Sequence, residues 1–364
     1  MRVAAAAVLP FVVGMLSSSC GGSAPASPSS VPSPNASAPR LPGPSGVSGR
    51  TVDVLSEAGA AGIRIQPDGG AAVSSDADGY FSLPSSSSLY RLTLTGPEFV
   101  TRETAVTASA TQTTVSLIPN RFDLSSFNEM FSRASALHRW LQPPRLVVER
   151  AVLTLTSVND DTFLARDEQL SASEVSDLID DLRWGLPQMT GNSFADFSAI
   201  DLQTSASGSM VNVKRTGAVF VARYEGLQDA TTYWGYGRWA WDERDAIVAG
   251  IMFLDRAFEQ SGSPFRRSLR SHELGHALGY SHVTLRASVM NSSGRVTPNQ
   301  FDREATLIAF KRPPGNQVPD RDPSWYTLGL TLRSSDFGVT WGPPVPEAIE
   351  PAWRPRRLGP TRTP

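Results

Sequence analysis

SHELGHALGYSH, residues Ser271 to His282, holds three of the chain's four histidines. His272, Glu273, His276, Gly279 and His282 spell H-E-x-x-H-x-x-G-x-x-H. On an α-helix each residue turns the side-chain direction by about 100°, so His272 and His276 stand about 40° apart and one turn along the axis. Both imidazoles can then reach one ion. Leu274 and Leu278 fall on the opposite side, where they can anchor the helix to a core. Glu273 is rotated too far round to be a good ligand, yet it flanks the space a water would occupy, which is the place of a general base. Gly279 follows His276 by three positions, where a left-handed residue ends a helix at little steric cost. The chain can then bend back and deliver His282 as a third nitrogen.

Three neutral imidazoles suit Zn²⁺ and leave its fourth tetrahedral position to water, the arrangement of catalytic zinc. The ion lowers the water's pKa to about 7, and Glu273 can take its proton as the oxygen attacks a carbonyl, then pass it to the leaving amine. One catalytic zinc ion is therefore the expected cofactor. The stretch ASVMN sets Met290 eight residues after His282.

This constellation resembles the metzincin zinc proteases, and the matrixins most among them, with Met290 at the place of the family's Met-turn beneath the metal. The resemblance implies an α+β catalytic domain over residues 145–325, a twisted mixed sheet with two main helices. It also implies a substrate lying extended beside an edge strand, placed near Tyr233 to Trp241. Asn291 and Ser292 depart from the family pattern, which has a proline there. There is no cysteine switch, because Cys20 is the only thiol, and no calcium loop or haemopexin-like sequence is recognisable.

The remainder of the chain supplies the setting. Met-Arg-Val, the apolar run from Ala4 to Leu16, three serines and Cys20 read as an export signal over residues 1–20, too short for the about 20 apolar residues that span a bilayer. Cys20 sits as in a bacterial lipobox and is the candidate lipidation site, with plain secretion as the alternative. Residues 21–46, rich in Ser, Pro and Gly, read as a flexible linker.

From 47 to 119 short alternating runs such as AGIRIQP, YFSLP and YRLTLTG indicate a small all-β sandwich. With the Asp76-Ala77-Asp78-Gly79-Tyr80-Phe81 turn, this stretch resembles the carboxypeptidase-regulatory-like, transthyretin-like modules, which are usually non-catalytic spacers. Asp76 and Asp78 do not make an EF-hand, because Ser85 stands where the loop-closing glutamate belongs. A hairpin turn needing Gly79 is expected instead.

Phe127, Met130, Phe131, Ala134 and Leu137 recur at helical spacing, giving a connecting helix within 120–144, with His138 beyond it as a surface or boundary residue. Ser171 and Glu174 form a capping box ahead of Val175, Leu178, Ile179 and Leu182. AIDLQTS, GAVFVARY and AIVAGIMFLD read as strands. Phe301 to Phe310 reads as a further helix, and residues 326–364 as a partly disordered extension with a strand or two at YTLGLTLR (326–333) and FGVTW (337–341), ordered poorly from about Pro343.

The formal net charge of −2 and the scattered arginines exclude a nucleic-acid or anionic-membrane footprint. The expected partner is a protein or peptide substrate, and contact with a membrane only through the N-terminal lipid. The functional expectation is thus an exported zinc-dependent endopeptidase. The alternative is a cell-surface adhesion or scaffold lipoprotein with an inactive metzincin-like domain, against which Glu273 argues, since a structural zinc gains nothing from a base.

Overall fold

Period-two alternation in the first third of the chain yields seven strands: β1 (Gly46–Asp53), β2 (Arg64–Pro67), β3 (Val73–Ser74), β4 (Tyr80–Pro84), β5 (Leu89–Gly96), β6 (Phe99–Thr107) and β7 (Thr113–Leu117). In β5, Tyr90, Leu92 and Leu94 are buried while Arg91 is exposed, the pattern of a strand with one face on a core. The strands pair in the orders β4-β1-β7 and β3-β2-β5-β6. Val47, Ile65, Phe81, Leu83, Leu92 and Val115 share one core drawn from both sheets. Asp76 holds the turn before β4, its Oδ1 accepting the N–H groups of Asp78 at 3.0 Å and Tyr80 at 2.8 Å. Gly79 has φ +86°, and a Cβ there would stand 2.3 Å from the Thr51 carbonyl oxygen.

The structure is a computed structural model that describes residues 46–348 apart from 85–88, 108–111, 133–134, 156, 158, 227–232, 294 and 329–337. All of these belong to the unit Pro42–Pro364. The export segment with Cys20, and Ala134, lie outside the described residues.

After β7 come α1 (Leu124–Met130), β8 (Arg139–Trp140), β9 (Arg145–Glu149), β10 (Ala151–Leu155), β11 (Thr162–Gln169), α2 (Ala172–Gln188), β12 (Ile200–Gln203) and β13 (Met210–Asn212). Then follow β14 (Ala218–Gly226), β15 (Tyr233–Trp241), β16 (Ala246–Asp255), α3 (Arg256–Gln260), α4 (Arg266–Ala277), α5 (Gln300–Phe310), α6 (Ser324–Thr327), β17 (Thr340–Trp341) and β18 (Val345–Ala348). Eleven strands join one sheet along the path β13-β11-β10-β14-β16-β15-β17, with β8, β9, β12 and β18 pairing off it. β14 is parallel to β9, β10 and β16, whereas β15 is antiparallel to β16.

β14 is buried on both faces, which explains its unbroken apolar run. Val219 and Val221 enter the core shared with α2, α4 and α5, while Phe220, Ala222 and Tyr224 enter a second core. That second core is lined by Leu153, Phe163, Val211, Tyr236 and Phe253, all from strands of the same sheet, so the sheet curls and closes on its own far face. Ser171 and Glu174 form the capping box of α2.

This architecture corrects the α+β expectation. Strands hold 37% and helices 21% of the described residues, so the fold is mostly β. The large sheet recruits residues 139–140 and 340–348 from outside the segment 145–325. β17 falls within the expected strand FGVTW, whereas in YTLGLTLR Tyr326 and Thr327 belong to α6 and residues 329–333 lie outside the described ones. The strands β8 and β18 are too short to show an alternation, and backbone pairing alone brings them in. Three helices of eleven or more residues, α2, α4 and α5, stand where two were expected.

β15 is not an edge strand: β16 pairs on one side, and β17 and β18 on the other. Val345–Ala348 is a strand, although the tail was expected to be poorly ordered from Pro343. The connecting helix spans only Leu124–Met130, and Ser132 has a positive φ soon after it.

Candidate metal centre

After its exposed first turn helix α4 runs inside the molecule, with every residue from Ser268 to Ala277 buried. Leu274 and Leu278 enter the main core with Leu178, Leu182 and Met252. Arg270, 1% exposed, donates from Nη1 to Asp181 of α2 at 2.9 Å and from Nε to Glu259 of α3 at 3.2 Å. A buried guanidinium is tolerated because both carboxylates face it. At the other end the Gly279 N–H donates to the His276 carbonyl and the Tyr280 N–H to the Gly275 carbonyl, each at 3.0 Å. With Gly279 at φ +100° this is a Schellman turn, and it sends the chain back toward the helix.

The returning strand of chain is pinned at several points. The Ser281 N–H donates to the Met130 carbonyl at 2.7 Å, and Glu129 accepts the Thr284 N–H at 2.9 Å. Asn291 Nδ2 donates to the Val283 carbonyl at 2.6 Å and the Arg286 carbonyl at 2.9 Å, while its Oδ1 accepts the Ser288 N–H at 2.9 Å. These bonds set His282 opposite the helix. His272, Glu273 and His276 are fully buried, and His282 is half-buried.

Each helical histidine has its second nitrogen committed. His272 Nδ1 lies 2.7 Å from the Val289 carbonyl oxygen, and His276 Nδ1 lies 2.6 Å from the Tyr280 carbonyl oxygen. A carbonyl oxygen only accepts, so both Nδ1 atoms carry the proton and both Nε2 atoms present lone pairs. Those Nε2 atoms stand 3.0 Å apart, and one ring nitrogen from each of the three histidines lies within 4.8 Å of the others. Converging lone pairs repel unless a cation joins them. Burial first, then the neighbouring His272 and His282, hold His276 well below the usual imidazole range, so a proton does not fill that place at neutral pH. Two nitrogens bound tetrahedrally at about 2.0–2.1 Å would be about 3.4 Å apart, close to what is seen. The three histidines therefore form a cluster able to hold a metal ion.

Met290 is fully buried and packs against α4 at Gly275, its Sδ 2.4 Å from the position a Cβ on that glycine would take. Asp302 of α5 orders this turn. Its Oδ2 accepts the Val289 N–H at 3.0 Å and its Oδ1 accepts the Ser288 hydroxyl at 2.5 Å, so the carboxylate positions the residue whose carbonyl holds His272. Burial pushes the Asp302 carboxyl above its ordinary range.

The sequence reading missed Asp302 and two glycines of β15. A Cβ on Gly235 would meet Glu273 Oε1 at 2.4 Å, and one on Gly237 would meet His276 Cβ at 2.2 Å. The alternation Gly-Tyr-Gly inside a strand was the available signal, since strand glycines mark close approach of another element. His138 is not a surface residue. It is 8% exposed, stacks on Trp241 and lies 3.2 Å from Asp245, apart from the histidine cluster. No described helix is long and apolar enough to cross a membrane. No protein-family model matches the chain, and no curated protein matches it in sequence.

Proposed function

We propose that the chain is an exported zinc-dependent endopeptidase, with His272, His276 and His282 holding one Zn²⁺ and Glu273 as the catalytic base. The observation that carries this reading is the convergence of His272 Nε2 and His276 Nε2 at 3.0 Å while both Nδ1 atoms are spent on carbonyl oxygens. Imidazole nitrogens alone suit zinc, and a three-protein-ligand set is that of catalytic zinc. When bound, the ion acts as a Lewis acid toward water and the scissile carbonyl.

The chain's own residues supply the proton transfers. Glu273, one position from His272 and pressed against the β15 backbone at Gly235, accepts a proton from the attacking water and returns it to the departing amine. The Val289 and Tyr280 carbonyls keep the two helical imidazoles in the tautomer that offers Nε2. The likeness of the motif and of Met290 to the metzincin proteases supports the same assignment. The Ala4–Leu16 segment supports export, and Cys20 a lipid anchor.

The test is elemental analysis of the purified protein combined with digestion of a denatured proteome. About one zinc per chain and chelator-sensitive cleavage are expected. Glu273→Ala should keep the zinc and lose about 10²- to 10⁴-fold in kcat. A zinc-loaded protein that leaves a broad peptide library uncut would sink the reading.

A further inference from the structure

β15 is the strand whose backbone lies against the metal centre, through Gly235 at Glu273 and Gly237 at His276. One side of β15 pairs with β16, and the chain's own C-terminal strands take the other. Val345 stands opposite Gly237 and Glu347 opposite Gly235, so β18 runs alongside the very residues that touch the site.

The two C-terminal strands are held differently. β17 is anchored: Arg238 Nε donates to the Gly342 carbonyl at 2.7 Å, and the Arg238 guanidinium and Lys214 ammonium lie 5.2 and 4.9 Å from the Trp341 ring centre. β18 follows Pro343 and Pro344, has four residues, and includes Pro346, which has no N–H to give to a ladder. Its register with β15 also slips between Tyr233 and Gly235. A poorly laddered strand thus hangs from a firm anchor.

We propose that Val345–Ala348 is an intramolecular occupant of the edge to which an extended polypeptide binds, displaced by substrate while β17 stays in place. This rests on the peptidase reading above. Strand addition draws its affinity from main-chain hydrogen bonds, so β18 and any extended peptide compete for the same N–H and C=O groups of β15. A tethered competitor acts at an effective concentration that reaches the millimolar range, so it raises KM and leaves kcat untouched.

The test uses the full chain carrying Cys20→Ser, Tyr233→Cys and Ala348→Cys. Tyr233 and Ala348 are register partners, within reach of a disulfide once both are cysteine. Oxidation locks β18 down, and a phosphine reductant frees it without stripping zinc. KM for an extended peptide should be at least about tenfold higher in the oxidised form, with kcat equal in both. As an activity-free readout, the same chain with Glu273→Ala should bind a labelled PPVPEAIE peptide (residues 343–350) at least about tenfold more tightly when reduced. Equal KM and equal peptide binding in locked and free forms would overturn the proposal. If no form hydrolyses peptide, the peptidase reading falls and the binding comparison alone decides the occupancy of β15.

Discussion

Gly235 lies so near Glu273 that a Cβ added to the glycine would stand 2.4 Å from Oε1 of the glutamate. The strand leaves the carboxylate one place to be. Gly235→Ala must push either the base or β15, and a displacement of about 1 Å can cost about a hundredfold in rate. We expect kcat/KM to fall by about that factor while zinc content stays at the parent's value. Loss of zinc together with activity would show that the glycine serves the ligands instead of the base.

Asp302 reaches the metal centre through the backbone of Val289, whose N–H it accepts and whose carbonyl faces His272. Asp302→Ala removes the acceptor of the Val289 N–H and the Ser288 hydroxyl and breaks the capping box of α5. Zinc affinity is expected to drop about 10- to 100-fold, measured by competition with a chromogenic chelator. Thermal stability should fall by about 1–2 kcal/mol from the lost cap.

The partly buried Asp255 carboxyl caps α3 by accepting the Phe258 N–H at 2.7 Å, and desolvation raises its pKa from 3.8 to about 6. A carboxyl whose folded pKa is raised stabilises fully below its unfolded value, and that contribution is lost as pH climbs through the folded one. The window is therefore about pH 4 to 6. Asp255→Asn keeps an acceptor without the charge. Denaturant unfolding should find it similar to the parent at pH 4 and more stable at pH 8, by at most about 3 kcal/mol.

Asp320 sits between two buried guanidiniums. Arg312 engages both carboxylate oxygens at 2.7 and 2.8 Å, and Arg102 of β6 donates to Oδ1 at 2.9 Å. Asp320→Ala leaves Arg312 without its carboxylate and Arg102 with Asp322 alone, and stranding a buried cation costs about 3–5 kcal/mol. Urea denaturation should show this as a lower midpoint. A loss under about 1 kcal/mol would mean that Asp322, which also accepts from Arg102, takes over.

What the sequence disclosed follows the range of the interactions involved. The meeting of His272 with His276, the end of α4 at Gly279 and the Ser171–Glu174 cap are set by residues within one or two helical turns, and all were legible. The extent of the sheet was legible only in part: β17 falls within the expected strand FGVTW, whereas β8 and β18 are short segments whose strand character exists only through pairing with β16 and β15. Asn291 stood out as a departure from a familiar pattern, yet its three hydrogen bonds explain it only once the 283–291 loop is seen closed around it. Asp302 gave no sign beyond a helix start, since its partners lie more than ten residues back along the chain.

The enclosure of α4 from Ser268 to Ala277 bears on how the ion and the fold depend on each other. A helix packed on every side by leucines, a methionine and paired arginines keeps its shape whether or not an ion is present, unlike small metal-nucleated domains that unravel when stripped. Chelation should therefore yield a folded protein with its imidazoles still gathered, able to recapture metal at once and to change one divalent ion for another without passing through an unfolded chain.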